Sequence, residues 1–303
     1  MVTIGYRGAI RYRGGGTRGA DDRGPVVSDG RGLSGARVTR VSAALCAVGG
    51  VVALLLLSAG SAGSTNRAHG KLPTESGVPV DQSAVATGES FDGVAAVGAL
   101  FTEANGKLGT HFCTASVVNS AAGDLALTAA HCVYGRTGAM AFVPGYTQGQ
   151  TPYGVWQVTR VYTDSAWDSA QDPDHDVAFL KLADAPDGVP IENVTGAETL
   201  GMGSPAGELV QVIGYPDDAD QPVWCAGTAK GFSATQLEFD CGGYPVGTSG
   251  GPFLADVDES TGQGTVIGVI GGYQQGGDTS AVSYAASFGT AVAMLYAQAQ
   301  AGS

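Results

Sequence analysis

Gly247-Thr248-Ser249-Gly250-Gly251-Pro252 is the stretch around which the rest of the chain is organised. Glycines on both sides of a serine let the main chain turn tightly and direct backbone N–H groups toward one place. A serine hydroxyl is a weak nucleophile, so it needs an imidazole to accept its proton and a third group to orient that imidazole. The stretch indicates a nucleophilic serine, with Gly247 and Ser249 as backbone donors. Glycine-rich turns are common in a chain with 49 glycines, so this hypothesis depends on partner residues elsewhere.

Four histidines are available to serve as the base: His69, His111, His131 and His175. All of them precede Ser249. The G-x-S-x-G spacing also occurs in α/β-hydrolases, but their histidine follows the serine, so that class is excluded. His131 ends the run Leu127-Thr128-Ala129-Ala130-His131-Cys132, in which an apolar strand leads through two small residues to an imidazole beside a cysteine.

The third partner is expected between the other two, in the order histidine, acid, serine. Asp176 lies between His131 and Ser249 in the chain and directly precedes the apolar segment 177–182. Asp172 and Asp174 are close in sequence, but neither directly precedes the strand, and successive strand residues face opposite sides. We therefore predict that Asp176 is the acid.

Together the three motifs resemble those of trypsin-like (chymotrypsin-fold) serine proteases, in particular the secreted bacterial type. L-T-A-A-H-C is similar to the histidine motif of that family, and the segment opened by Asp176 is similar to its aspartate motif. The resemblance covers residues 91–300. It implies that Ser249 is the nucleophile, that His131 is the general base and then acid, and that Asp176 orients the imidazole. It also implies an oxyanion hole made by Gly247 and Ser249.

The fold implied by this resemblance is all-β, with two six-stranded antiparallel β-barrels (chymotrypsin-like) and a C-terminal helix. Short apolar segments separated by glycine-rich turns independently favour a sandwich or barrel, and Asn105-Gly106 is a strong hairpin signal. Ala291 to Ala299 contains no helix breaker. We expect the first barrel at 91–188 and the second barrel with the helix at 189–303.

Residues 1–63 show the three parts of a secretory signal. The segment 1–40 contains eight arginines, and it is followed by an uncharged apolar run, Val41 to Leu57, and then by small residues. The alternative is an uncleaved signal anchor with its basic tail inside, since 41–63 is long enough to span roughly 30 Å of hydrocarbon. We favour cleavage and a secreted protein, so we expect membrane attachment only if the leader is retained. Residues 64–90 are expected to be a linker or short pro-segment.

Charge divides sharply at the end of this leader. The segment 1–40 holds eight of the 15 basic and three of the 28 acidic residues, which leaves 7 basic and 25 acidic residues, a net charge of −18, for 64–303. Such a surface repels nucleic acid and anionic membranes. We expect a protein or peptide substrate, no nucleic-acid partner and a monomer.

Four cysteines follow the leader, and an even number in an exported chain indicates two disulfides with three possible connectivities. The family resemblance implies Cys113 with Cys132, which leaves Cys225 with Cys241. The alternative, a zinc site made by His111, Cys113, His131 and Cys132, lacks the usual spacing of zinc ligands. We expect no metal and no cofactor.

Two departures from the family pattern concern activation. Many trypsin-like enzymes have an aspartate before the nucleophile, which pairs with a new N-terminal amine after cleavage, whereas this chain has Thr248. An I-V-G-G-like sequence is also missing from residues 85–100. We predict that this ion-pair switch is not used.

Specificity is inferred from further comparison with the family. Gly243 stands where trypsin-type enzymes have their pocket aspartate, and Ile270 stands where glutamyl endopeptidases have a histidine. We therefore predict an uncharged pocket for an apolar or small side chain. Gly271, Gly272 and Tyr273 are expected to offer main-chain groups to an extended substrate.

The sequence thus predicts a secreted serine endopeptidase that works through an acyl-enzyme. Subtilisin-type chemistry is disfavoured, since it requires the acid before the histidine. The alternative from another class is a catalytically inactive or latent protease-fold binding protein at the cell surface.

Overall fold

The structure is a computed structural model that describes residues 85–302. All described residues belong to one compact unit. The predicted signal at 1–63 and most of the predicted linker lie outside the described residues. None of the helices within residues 85–302 could span a bilayer.

Fifteen strands and four α-helices make up the described part of the chain. The strands are β1 (Glu89–Ser90), β2 (Val97–Ala104), β3 (Lys107–Val118), β4 (Leu125–Thr128), β5 (Ala139–Pro144), β6 (Trp156–Thr163), β7 (Ala178–Leu182), β8 (Thr199–Leu200), β9 (Leu209–Gly214), β10 (Val223–Thr228), β11 (Lys230–Gly231), β12 (Gln236–Asp240), β13 (Pro252–Ala255), β14 (Thr265–Val269) and β15 (Val282–Ala286). The helices are α1 (Ala130–Val133), α2 (Ser165–Ala170), α3 (Glu192–Thr195) and α4 (Thr290–Ala301), with 3-10 turns at Pro173–His175 and Tyr273–Gly276.

The first half forms a closed barrel in the strand order β2-β3-β4-β7-β6-β5, and all its pairings are antiparallel. The hairpin predicted at Asn105-Gly106 joins β2 to β3, with both residues at positive φ (54° and 73°) as this tight turn requires. Leu100, Phe142 and Leu180 are fully buried in its core. This barrel carries His131 and Asp176, which follow β4 and precede β7.

The second half differs in detail from the closed six-stranded antiparallel barrel that was predicted. It forms a six-stranded sheet, β1-β10-β9-β13-β14-β8, and a three-stranded sheet, β11-β12-β15, and β8 pairs with β14 in parallel. Strands β1, β8 and β11 are two residues long, too short to carry a continuous hydrogen-bond ladder around the core. Buried residues of both sheets, such as Val212 and Phe239, belong to one hydrophobic core. The Cys225–Cys241 disulfide links the two sheets.

Residues 86–90 belong to this second half although they precede the first barrel. Gly88 N donates to Gly242 O and Gly242 N donates to Ala86 O, both at 2.7 Å. Strand β1 then pairs with β10, with Glu89 opposite Trp224. The last residues of the predicted linker are therefore part of the sheet.

The C-terminal helix is confirmed as α4. It buries Val292, Leu295 and Ala299, and Tyr296 packs on Phe179 of β7 with ring centroids 5.4 Å apart. The helix follows the second half in sequence but packs on the first barrel, so it holds the two halves together.

Candidate active site

His131 lies in α1, directly after β4. Thr128 at the end of β4 pairs with Ala178 at the start of β7, so the residues after Thr128 and before Ala178 meet at one end of the barrel. His131 follows Thr128 and Asp176 precedes Ala178, so the two side chains lie at this end of the barrel. The Cys113–Cys132 disulfide ties the residue after His131 to β3, which restrains the position of the imidazole. Both disulfides implied by the resemblance are present.

Asp176 is completely buried and accepts three N–H groups. Its Oδ1 accepts the backbone N–H of His131 at 2.8 Å, and its Oδ2 lies 2.7 Å from His131 Nδ1. Oδ2 also accepts the backbone N–H of Gly272 at 2.9 Å. A carboxylate can only accept, so this contact assigns the proton to Nδ1 and leaves Nε2 with a free lone pair. In this tautomer Nε2 can accept a proton.

The two neighbouring aspartates are engaged elsewhere. Asp172 Oδ1 accepts the backbone N–H of Asp174 at 3.0 Å and begins the 3-10 turn. Asp174 Oδ1 accepts Gln236 Nε2 at 2.6 Å. Of the three acids considered in the sequence, Asp176 is the one whose side chain contacts His131.

Thr114 of the first barrel makes hydrogen bonds to residues 247–251 of the second half, here called the Ser249 loop. Its backbone N–H donates to Ser249 O at 2.7 Å, and its Oγ1 donates to Gly247 O at 3.1 Å. The same Oγ1 accepts the backbone N–H of Tyr215 at 2.8 Å. Thr114 is fully buried. The sequence does not identify this residue, since an isolated threonine in a strand carries no signal of a partner 133 residues away.

The Ser249 loop accepts only glycine at two of its turns. At Gly247 (φ +95°) a Cβ would lie 2.3 Å from Asp217 N, and at Gly250 (φ +81°) it would lie 2.2 Å from Thr114 O. Both distances are far below van der Waals contact. Close approach to neighbouring backbone, together with positive φ, is what the G-T-S-G-G run provides.

Two peptide groups of this loop have fixed orientations. Val246 O accepts the N–H of Asp217, and Thr248 O accepts the N–H of Gly251, both at 3.0 Å. In a planar trans peptide the C=O and the following N–H point in opposite directions. The N–H groups of Gly247 and Ser249 therefore point away from these partners, and neither has an acceptor within residues 85–302. Two unpaired donors close to a serine can stabilise an anion there.

His131 and Ser249 line one cavity of about 460 Å³ between the two halves. Its walls are formed by Phe112, Cys113, His131, Cys132, Arg136, Tyr244, Pro245, Val246, Gly247, Thr248, Ser249, Ile270, Gln274, Gln275, Gly276, Gly277, Asp278, Thr279 and Ser280. In the described part of the chain, Ser249 Oγ makes no hydrogen bond to His131, whose Nε2 lies 3.9 Å from Cys132 Sγ. Such bonds are commonly long before substrate binds.

The residues expected to bind substrate are only partly at this cavity. Ile270 lines it, whereas Gly243, Gly271, Gly272 and Tyr273 do not. The N–H groups of the last three donate to Tyr284 O, Asp176 Oδ2 and Gln236 Oε1, so they are not free for an extended substrate.

The segment after Tyr273 turns back toward the cavity instead. Gln274 and Gln275 both adopt positive φ (52° and 53°), and Gly276 and Gly277 follow at 104° and 127°. The turn brings Asp278 to the cavity wall, where its carboxylate accepts Gln274 Nε2. The cavity is therefore lined by the charged residues Asp278 and Arg136. The Gly276-Gly277 pair signals a turn, but its direction depends on contacts that the sequence does not reveal.

The candidate zinc ligands do not form a usable metal site. Cys113, His131 and Cys132 offer donor atoms within 4.8 Å of one another. Both sulfurs are bonded to each other, however, and zinc requires thiolates. His111 lies apart from this group, packed between Phe101 and Tyr146 with ring centroids 5.3 and 5.6 Å away.

Comparison with known proteins agrees with this geometry. The model of the family described as "Trypsin-like peptidase domain" matches residues 109–269, just over half of the chain. Trypsin theta of Drosophila erecta is 38% identical over 81 residues, which cover 26% of this chain. The match spans only 29% of that protein's own length.

Solved structures of proteases share the fold. One is protease Anisep from Arthrobacter nicotinovorans (TM-score 0.60, 24% identity), and the match covers 71% of this chain and 100% of the Anisep chain. Another is the thermostable serine protease AL20 from an extremophilic microorganism (TM-score 0.59, 25% identity), and that match covers 69% of this chain and 99% of the AL20 chain. A Glu endopeptidase is also similar in fold (TM-score 0.55, 16% identity, covering 71% and 97%).

The chain belongs to the trypsin-like peptidase family, as its three motifs predicted. The chymotrypsin-like all-β fold class is likewise confirmed.

Proposed function

We propose that this protein is a secreted serine endopeptidase that hydrolyses peptide bonds through an acyl-enzyme. The observation that carries the proposal is the buried Asp176 carboxylate on His131 Nδ1, with Nε2 left basic in a cavity that Ser249 also lines. Family membership supports the same reaction class.

The proposed reaction uses each group in turn. Ser249 Oγ attacks the peptide carbonyl while His131 Nε2 takes its proton, and Asp176 stabilises the imidazolium that forms. The N–H groups of Gly247 and Ser249 hold the negative oxygen of the tetrahedral intermediate. His131 then gives the proton to the leaving amine. A water molecule attacks the acyl-enzyme by the same steps in reverse, releasing the acid and restoring Ser249.

Two disulfides support an extracellular location, because such bonds persist in oxidising compartments and are rare in the cytosol. The acidic surface supports a soluble monomer that acts on proteins or peptides without a nucleic-acid partner.

The test is intact mass spectrometry after incubation with a fluorophosphonate. We expect one adduct on the wild type and none on Ser249→Ala. Ser233→Ala removes an exposed serine in a loop outside the cavity and should still take the label. The same spectrum reports the N-terminus of the exported protein and the oxidation state of its cysteines. An adduct that persists on Ser249→Ala would contradict the assignment.

A latent or inactive binding protein is the second candidate, because residues 85–302 show no Ser249–His131 hydrogen bond, a state that an enzyme before substrate binding and an inactive protein share. It predicts a folded, disulfide-bonded protein that takes no label. Removing residues 64–84 then separates latency from inactivity, because only a latent enzyme gains the adduct. The truncation stops before residue 85, since 86–90 pair with the second-half sheet.

A further inference from the structure

Arg136 is a cation held in a fixed position in the wall of the cavity. Its guanidinium carbon lies 3.4 Å from the centre of the Phe112 ring, so the planar group stacks on the aromatic face. Its Nε donates to Cys132 O at 2.6 Å. Cys132 is tied to β3 by its disulfide, and Phe112 belongs to β3. The arginine is therefore anchored to the rigid part of the first barrel.

The outer edge of this guanidinium has no partner in the described part of the protein. Within residues 85–302 its Nη groups make no hydrogen bond, and no carboxylate lies within ion-pair distance. Two parallel N–H groups on a planar, permanently charged group match the two oxygens of a carboxylate. Stacking and the Nε bond already restrict the side chain, so little rotamer freedom remains to be lost when an anion binds.

Among the described residues, Arg136 is also the only lysine or arginine that lines this cavity. The others between residues 85 and 302, none of which lines it, are Lys107, Arg160, Lys181 and Lys230. The chain as a whole has a net charge of −13, and Asp278 lies in the wall that the second half contributes. An acidic substrate residue would be repelled at most places on this surface, which makes the single cation selective.

The position of Arg136 relative to His131 indicates which part of a substrate it meets. His131 delivers its proton to the leaving amine, so the wall that continues beyond His131 faces the residues after the scissile bond. Phe112, Cys132 and Arg136 form that wall. Residues 244–247, which also line the cavity, lead into the loop whose free Gly247 and Ser249 N–H groups serve the acyl side.

We propose that Arg136 is a specificity-determining residue that binds an acidic side chain on the leaving-group side of the scissile bond, within its first two residues. This inference rests on the proposed endopeptidase activity. It names the substrate class as peptides with Asp or Glu at one of the two positions that follow the cleaved bond.

The test compares kcat/KM for internally quenched peptides that differ only by Glu, Gln or Lys at each of the first two positions after the scissile bond. We expect the wild type to prefer Glu at one of them by roughly tenfold at low ionic strength, as for a charge-assisted bidentate pair. Added salt should reduce the preference, since the guanidinium edge is open to solvent. Arg136→Gln should abolish it, and Arg136→Glu should reverse it toward Lys.

The Glu/Gln ratio is the readout because a general loss of folding or chemistry cancels in it. Arg160→Gln is the matched control, since Arg160 also lies over an aromatic ring (5.0 Å from the centre of Tyr162) but outside the cavity, and it should keep the wild-type ratio. A wild-type ratio near one, or an unchanged ratio in Arg136→Gln, overturns the inference while fluorophosphonate labelling of Ser249 still stands. Absence of both labelling and cleavage overturns the proposed function and this inference with it.

Discussion

Both carboxylate oxygens of Asp176 hold His131, one through the backbone N–H at 2.8 Å and the other at Nδ1 at 2.7 Å. The first contact fixes the main chain of α1, and the second fixes the ring and its tautomer. Because Oδ2 also accepts the Gly272 N–H, the second half of the molecule helps to orient an imidazole of the first half.

Asp176→Asn is expected to lower kcat by roughly 10⁴-fold, because an amide in place of Oδ2 favours the wrong tautomer of the imidazole. Kinetics on a peptide substrate measure this directly. Asp174→Asn is the control, since Asp174 contacts Gln236, and its kcat should stay within a few-fold of wild type. Comparable losses in the two variants would argue against the proposed role of Asp176.

Thr114→Val tests the link between the first barrel and the Ser249 loop. Valine keeps the shape but leaves the buried Tyr215 N–H and Gly247 O without their partner, at a cost of about 1–3 kcal/mol for a buried unsatisfied group. We expect lower stability in guanidinium unfolding and a lower kcat. Thr159→Val, which removes an exposed hydroxyl bonded to Lys181 O, should change stability by no more than about 0.5 kcal/mol.

Gly247→Ala should reduce both stability and activity. The new Cβ would meet Asp217 N at 2.3 Å and Tyr215 O at 2.6 Å, so the peptide that directs the Gly247 N–H must move. Gly106→Ala isolates the cost of positive φ, since Gly106 (φ +73°) has open space around its Cβ, and that cost is of order 1 kcal/mol. If Gly247→Ala loses no more kcat than Gly106→Ala does, the orientation of the Gly247 peptide is not needed for catalysis.

The two disulfides are expected to differ in their effect on kcat. Each closes a short loop, with sequence separations of 19 and 16, so removing either by paired Ala substitutions should cost about 3 kcal/mol of stability. Loss of Cys113–Cys132 should also lower kcat, because Cys132 adjoins His131. Loss of Cys225–Cys241 should leave kcat of the folded fraction near wild type. Thermal unfolding and active-site titration separate the two effects, and matching kcat values would contradict the prediction.

The buried side chain of Glu198 should make the free energy of unfolding decrease as pH rises. Burial raises its pKa from 4.5 to about 8, although the Gly264 N–H at 2.6 Å acts in the opposite direction. The folded state then holds more protons than the unfolded state between these values. This contribution is fully present below pH 4.5 and is lost as pH rises through about 8.

The effect is measured by denaturant unfolding of wild type and Glu198→Gln at pH 5, 7 and 8.5. Gln mimics the protonated acid, so the variant should gain on the order of 2–4 kcal/mol relative to wild type across this range. Glu259→Gln removes an exposed glutamate and serves as the control. Parallel curves for wild type and Glu198→Gln would show that Glu198 does not titrate in this range.

Much of the fold could be predicted because its signals are local. The hairpin at Asn105-Gly106 and the breaker-free segment of α4 depend on the conformational preferences of a few neighbouring residues. The arrangement of the second half could not be predicted in the same way. Residues 86–90 pair with β10 and with Gly242, and all strands of the first barrel lie between these partners in the sequence. Nothing in the composition of 86–90 identifies that partner.

The sequence by itself determined the family and the order of His131, Asp176 and Ser249, because acyl transfer needs those residue types and a tight serine loop needs glycine at positive φ. Their catalytic roles stay predictions until they are tested. Only the tertiary structure decided that Thr114 holds the Ser249 loop, that the N–H groups of Gly271 to Tyr273 are already used, and that Arg136 and Asp278 face the cavity. These features depend on contacts between segments far apart in the chain, whose relative positions are set by packing of the whole core and not by any local preference.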